Sequence, residues 1–522
     1  MTITDSDLLV LNTIIYTPNF NGSGASMKNK SVYDWAEDYK KNGSGSHAEV
    51  TEEEMKNIVN TILKDPDKYS NIIIKDVDNQ MYDNPNTPDP PEHIATNVTF
   101  TSGDDMIIAY KGTGGALEWR DNGHAANLNV TDSPQQIAAL DYFNKQALDK
   151  DGNKLVSGDI YVTGHSKGGN KAQYVTIMQG DKITKATAFD GQGFNLAFHH
   201  KYQEQIQKNK SKITVISNEY DYVNLLMFPV AGHRHFVKNN WTMEVPGLDG
   251  LNGKAFEKWK NAMKDNASHE FRRLHSPYTL GQIDENGSFV IGELKDQARI
   301  MTDIEGYLQH LLTYANEEDA RFIYYMVMSK FMGDKEGAYK DIYADYSKMP
   351  DGFKERILAL TKGYFHERGW SDRDVWLLIE SGILFGGDSI VGTSFREYKA
   401  VTPERYSTIT RDFTEETKNK LLSIVSEVEN ESFFDIGKWD IWYRIEDLVV
   451  GTDYPSNQND LNGYYRKIID MQGTTKEEIE RIFSAVASEE SGFNGTLSGI
   501  KENVQKIKDD LDKVTQALSK FA

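Results

Sequence analysis

The chain of 522 residues contains no cysteine. That excludes disulfide frameworks, thiol nucleophiles and cysteine-ligated zinc together. It also lacks any uninterrupted apolar run of about 20 residues, the length a helix needs to span a bilayer. Basic clusters are missing as well: the formal net charge is −21 and Lys and Arg are dispersed. Without such clusters there is no electrostatic footprint for a phosphate backbone, and no nucleic-acid partner is expected. The same charge disfavours passive adsorption to an anionic membrane. Met1–Asp7 carries no basic residue and Leu8–Leu11 is too short for an apolar signal core, so no conventional leader peptide is expected. No metal or other cofactor is expected either. Asp76, Asp78 and Asp83 lie in a stretch rich in Asp, Asn and Pro from 76 to 92, but without the glycine and closing Glu of an EF-hand they read as a solvated loop.

What is present divides the chain by periodicity. Leu8, Leu11 and Ile15 share one face of a first helix, capped by Thr4 or Ser6, and Glu52–Glu54 sit in the first turn of a second helix running from Thr51 to Leu63. Residues 96–101 and 106–110 then read as a hairpin around Ser102-Gly103-Asp104-Asp105. A helix from Ser133 to Leu148 leads into strands at 159–163, 185–189 and 212–217. Alternating strands and helices make a mostly parallel α/β sheet the expected fold for residues 1–295. Beyond Asp296 helical spacing takes over, as in Ile300, Ile304, Leu308 and Leu311. We divide this part into a helical middle region, 296–405, and a terminal helical region, 406–522. The last segment has the cleanest period: Leu497, Ile500, Val504, Ile507, Leu511, Val514, Leu518 and Phe521 form a heptad seam about 37 Å long. Such a seam needs a partner, within the chain or outside it.

The stretch Tyr161-Val162-Thr163-Gly164-His165-Ser166-Lys167-Gly168-Gly169-Asn170 carries the chemistry. Strand, Gly-x-Ser-x-Gly and helix in that order make a nucleophile elbow, with Ser166 at the tip. A serine hydroxyl needs a base to take its proton and an acid to orient that base. In α/β-hydrolases these follow in the order Ser, Asp or Glu, His. Asp221, just past the strand ending near Ser217, is the candidate acid, with Glu219 its local competitor. Chain order leaves His275, then His269, then His235 as candidates for the base, and we favour His275, which lies 54 residues after Asp221. The oxyanion donors expected are the N–H groups of Lys167, after the nucleophile, and of Thr113, in the Lys111-Gly112-Thr113 loop. The apolar run Leu225–Val230 reads equally as an acyl-chain groove or as core.

Ala109-Tyr110-Lys111-Gly112-Thr113 with Glu118-Trp119-Arg120-Asp121, the elbow, Phe189-Asp190-Gly191-Gln192-Gly193 and Asp221-Tyr222-Val223 resemble, in order, the blocks of the class 3 lipases. Lys111 replaces the arginine usual in that family. The resemblance implies an α/β-hydrolase domain acting on acyl esters of lipids or phospholipids, with Ser166, Asp221 and His275 as its triad. Leu497-Ser498-Gly499 and the helical run before it resemble the LXG modules of bacterial type VII secretion, in reversed order along the chain. That resemblance implies a secreted antibacterial lipase toxin whose C-terminal helices bind small helical partners for export, with an immunity protein in the producer.

Overall fold

Four helices of the chain begin at residues whose side chains take over the backbone amides that a helix leaves without acceptors. In the computed structural model, which describes residues 3–20, 27–43, 50–82, 92–113, 131–239, 247–248, 273–323 and 349–370, Thr4, Ser31, Thr51 and Ser133 each close a capping box with the residue three further on. Each cap contributes about 1 kcal/mol. They start α1 (Asp5–Ile14), α2 (Val32–Asn42), α3 (Glu52–Lys64) and α4 (Pro134–Ala147). The chain divides into two units, Met1–Tyr364 and Phe365–Ala522, and nearly all described residues belong to the first.

The centre of the first unit is an eight-stranded sheet in the order β1 (Ile72–Tyr82), β2 (Glu92–Ser102), β3 (Asp105–Tyr110), β4 (Ile160–His165), β5 (Lys185–Phe189), β6 (Ile213–Asn218), β7 (His233–Val237) and a short edge strand, Leu294–Lys295. β1 to β3 form an antiparallel meander, β3 to β7 run parallel, and the edge strand returns antiparallel to β7. The hairpin at 96–110 and the strands expected at 159, 185 and 212 are all present. The segment 76–82, expected as loop, continues β1 and pairs with β2. Polar composition misleads there because backbone pairing with a neighbour outweighs strand propensity. Asp76 is held by Gln146 Nε2 at 2.8 Å and Lys28 Nζ at 2.9 Å.

The parallel strands add in one direction only. Right-handed crossovers therefore place their helices on one face: α4 between β3 and β4, α5 (Lys167–Gln179) between β4 and β5, and α6 (Leu196–Lys201) with α7 (Gln203–Asn209) before β6. α1 to α3 cover the opposite face. The alternation along β3 shows both contacts. Ile107 and Ala109 join a core with Leu8, Trp35 and Ile58, whereas Met106, Ile108 and Tyr110 join one with Phe143, Val175 and Ile177. A strand buried on both sides has no polar alternation, and each large side chain so buried contributes about 1.5–3 kcal/mol.

Past the edge strand the described residues are helical: α8 (Arg299–Tyr314), residues 317–323 and α9 (Phe353–His366). The first unit is thus a mixed α/β domain of α/β-hydrolase type, followed by helices. Residues 85–91 of the expected loop, Glu118–Asp121, and the terminal region with its heptad seam lie outside the described residues.

Where β3 and β4 pass under α5, the helix touches the strand backbone. A Cβ on Gly168 would collide with the carbonyl oxygen of Tyr110, and one on Gly164 with the backbone of Gly168. Gly168→Ala is expected to lower stability by about 2 kcal/mol or more. Urea denaturation measures it, and a value within about 0.5 kcal/mol of wild type would show that strand and helix do not meet so closely.

Candidate active site

Thr113, Ser166 and Asp221 follow the carboxyl ends of β3, β4 and β6, where open α/β sheets carry their sites. Ser166 follows β4 directly and caps α5 with φ 59° and ψ −126°, a conformation L-residues rarely adopt. The turn is held by Ser166 N–H donating to Phe189 O at 2.9 Å and by Asn170 N–H donating to Ser166 O at 3.2 Å. From Ile160 to Ile177, Ser166 alone has appreciable exposure. The fold hides everything around this side chain and presents its hydroxyl.

Asp221 lies in the loop after β6 and is fully buried. Its Oδ1 accepts from His275 Nδ1 at 2.7 Å, and its Oδ2 accepts from Asn224 N–H at 2.7 Å and Asn224 Nδ2 at 2.8 Å. A carboxylate cannot donate, so His275 carries its proton on Nδ1 and its lone pair on Nε2. Nε2 is buried and makes no hydrogen bond. This is the tautomer a general base requires. Ser166 Oγ does not bond to it.

The other acid and base candidates are occupied differently. Glu219 ties the sheet edge, pairing with Lys295 Nζ at 2.7 Å and accepting from Asn239 N–H at 2.7 Å. His235 is exposed on β7. His269 lies outside the described residues. Lys167 opens α5 and is buried, and Thr113 ends the described part of the loop after β3. Within that loop Gly112 lies against the elbow: a Cβ there would stand 3.0 Å from Ser166 Cβ and would strike the Tyr16 hydroxyl. Leu225, Leu226 and Met227 are buried, and Phe228 pairs through its backbone with Phe194.

Long-range polar contacts fix the two loops that bring Asp221 and His275 together. The acid loop is clamped by Arg234, which bonds Glu305 of α8 at 2.9 and 3.0 Å and Asn224 Oδ1 at 3.2 Å. The base loop is anchored to α3 by Arg273 paired with Glu54 and by Asn57 Nδ2 donating to Tyr278 Oη at 3.0 Å. Burial alone would raise the Glu54 pKa, but its bonds from Arg273 and Thr51 outweigh burial and lower it.

Three further residues surround this pair, and sequence patterns gave no role to any of them. Tyr16 lies just beyond α1, His165 precedes the nucleophile, and Asp190, with φ 45°, follows β5. Asp190 Oδ1 accepts from Asn218 N–H at 2.8 Å, and its Oδ2 stands 3.7 Å from His165 Nε2. Burial, and then the neighbouring charge of Asp221, pushes the Asp190 carboxyl well above the usual range. Burial, and then His275, pushes His165 well below its own. Burial thus favours the neutral form of each. His165, Asp190 and His275 bring one metal-ligand-type atom each within 4.8 Å of the others. Of these, His165 Nε2 is bonded to the His275 carbonyl at 2.8 Å and His275 Nδ1 to Asp221 at 2.7 Å, while Asp190 bonds Asn218 N–H. The legible signals were His165 and Asp190 standing inside two of the ordered blocks; Tyr16 had none.

Residues 64–240 match the family model described as Mbeg1-like, an esterase- and lipase-associated domain. The span holds Ser166 and Asp221 and ends before His275. No curated protein matches the chain.

The neutral Asp190 has a measurable consequence. The folded chain keeps a proton on it that the unfolded chain releases above the ordinary value of 3.8. Its contribution to stability is therefore full below that value and is lost as pH rises toward the raised folded pKa. Asn fits the same backbone and hydrogen bond but has no proton to lose. Asp190→Asn is expected to lose less stability than wild type between about pH 4.5 and about pH 7.5 by urea denaturation. Equal losses would mean that Asp190 is ionised in the fold.

Proposed function

We propose that the chain is a serine carboxylic-ester hydrolase of lipase or phospholipase type, working through Ser166, His275 and Asp221. The observation that carries this reading is the 2.7 Å bond from His275 Nδ1 to buried Asp221, together with a serine held half-buried in a strained turn. In the proposed reaction Ser166 Oγ attacks the ester carbonyl carbon while His275 Nε2 takes the hydroxyl proton. Asp221 stabilises the resulting imidazolium and keeps the ring oriented. The oxyanion is met by the N–H groups of Lys167 and Thr113, each such donor supplying about 10²–10³ in rate. Collapse expels the alcohol, which leaves with the proton from His275, and forms the acyl-Ser166 ester. Water then attacks that ester, its proton passing to His275 and on to Ser166 as the fatty acid departs.

The ordered lipase-like blocks support a lipid acyl ester as the substrate class. The LXG-like segment Leu497-Ser498-Gly499 supports export by a type VII system, with small helical proteins bound to the C-terminal region and an immunity protein in the producer. A phospholipid of competing bacteria is the target this reading implies.

Mass spectrometry of phospholipid vesicles incubated with the full chain tests the activity and the substrate together. Wild type is expected to release fatty acid and lysolipid. Ser166→Ala, with unchanged melting behaviour, is expected to lower kcat by about 10⁶-fold. Release that survives this substitution overturns the assignment, and an inert wild type on a panel of acyl esters favours a binding platform built on a hydrolase fold. Asp221→Asn is expected to lower kcat by about 10⁴-fold, because an amide no longer enforces the base tautomer. A drop of less than about tenfold would remove Asp221 from the role of orienting acid.

A further inference from the structure

We propose that Tyr16 and His165 are positioning residues, forming one directed hydrogen-bond relay that fixes the oxyanion loop and the base loop against each other. The inference rests on the hydrolase reading of Ser166 and His275. Three bonds make the relay. Gly112 N–H donates to Tyr16 Oη at 3.0 Å, Tyr16 Oη meets His165 Nδ1 at 2.9 Å, and His165 Nε2 meets the His275 carbonyl oxygen at 2.8 Å.

The direction of every bond is forced by chemistry. A carbonyl oxygen only accepts, so the His165 proton is on Nε2. His165 is neutral, because burial holds its pKa well below the ordinary value, so Nδ1 carries a lone pair. The Tyr16 hydroxyl must then donate to Nδ1, and its oxygen accepts the amide proton of Gly112. The competing acceptor for His165 Nε2 is Asp190 Oδ2 at 3.7 Å, beyond hydrogen-bond reach. Tyr16 and His165 are both buried, where a hydrogen bond is stronger than in water and an unmade one costs more.

The relay has a mechanical reading because each end lies on a different part of the site. Gly112 precedes Thr113, a proposed oxyanion donor. His165 precedes Ser166. The carbonyl it holds belongs to His275 itself, whose ring lies against that of His165 with centroids 4.7 Å apart. Tyr16 also lies under the Lys111 ammonium, 5.6 Å from its ring centroid, which adds a second tie to the same loop. One helix end thus holds three loops from distant parts of the chain. Neither residue reaches the reacting atoms, so removing the relay is expected to loosen transition-state geometry while leaving substrate binding in place.

The test uses the full chain and a soluble acyl ester. Tyr16→Phe keeps the ring and deletes the hydroxyl; kcat is expected to fall about tenfold to hundredfold, with KM within about twofold and the melting temperature lowered by a few degrees, the fold intact. His165→Gln keeps an N–H donor for the His275 carbonyl, so it is expected to retain more activity than His165→Leu. If the leucine variant fails to fold, Tyr16→Phe carries the test. Long-range ¹H–¹⁵N correlation of the imidazoles is the independent readout: His165 is expected protonated at Nε2 only, and Tyr16→Phe is expected to shift the nitrogens of both His165 and His275. A proton on Nδ1 of His165, or full kcat in Tyr16→Phe, overturns the relay. If wild type hydrolyses nothing, the hydrolase reading fails by itself, while the imidazole spectra still decide whether the relay exists.

Discussion

The backbone turn at Ser166 is the constraint from which the rest of the site follows. Holding a non-glycine residue at φ 59° and ψ −126° costs about 1–3 kcal/mol. Such a conformation persists only where its surroundings over-determine it. Here β4 enters fully buried, α5 leaves fully buried, and the close passage at Gly164 and Gly168 admits no side chain. Below the turn, Asn12 of α1 donates to Thr163 Oγ1 at 2.6 Å, and Thr163 donates in turn to the carbonyl of Thr187 at 2.7 Å. The strain is balanced by packing on both faces of the sheet, and the result is one partly exposed residue, Ser166, in an otherwise closed segment.

The single direction of strand addition decides what stands around that hydroxyl. Because β3 to β7 lie in chain order, the loops that leave their carboxyl ends lie side by side as well. The oxyanion candidate, the nucleophile, Asp190 and the acid come from four consecutive strands. The base does not come from a strand end. Its loop is carried in from beyond β7 and fastened by polar contacts: Arg273 to Glu54, Tyr278 to Asn57, and Thr279 Oγ1 accepting from Asn218 Nδ2 at 3.3 Å. The same economy of anchoring applies to α8, whose Glu305 holds Arg234 and, through it, Asn224 beside Asp221. The helix after the sheet therefore belongs to the support of the acid loop.

Electrostatics in the buried part of the site favours neutrality. His165, Asp190 and His275 bring one ring or carboxyl atom each within 4.8 Å of the others, yet of these only His275 has the geometry of a charge-assisted bond, to Asp221. Asp190 avoids a second buried negative charge by keeping its proton, and His165 avoids a buried positive one by staying neutral. Two unpaired charges there would cost several kcal/mol each. The neutral forms instead act as hydrogen-bonding spacers between the working residues.

The sequence by itself determined the elements whose signals are local. Alternation and turn residues marked β2 through β6, a capping residue marked α1, acidic residues in the first turn marked α3, and Gly-x-Ser-x-Gly between a strand and a helix marked the turn. Chain order was enough to pair Asp221 with His275 as a hypothesis, and the structure sets them 2.7 Å apart. The segment 76–82 was misread because its strand state depends on a neighbour, β2, and not on its own polar residues. What only the tertiary structure decided are the contacts made across the chain: Tyr16 with His165 at a separation of 149 residues, Arg273 with Glu54 at 219, and Arg234 with Glu305 at 71. Side chains so distant leave no period or spacing in the sequence. Their partners, and the protonation states of Asp190 and His165, are set by burial, which exists only once the sheet and its two layers of helices have closed.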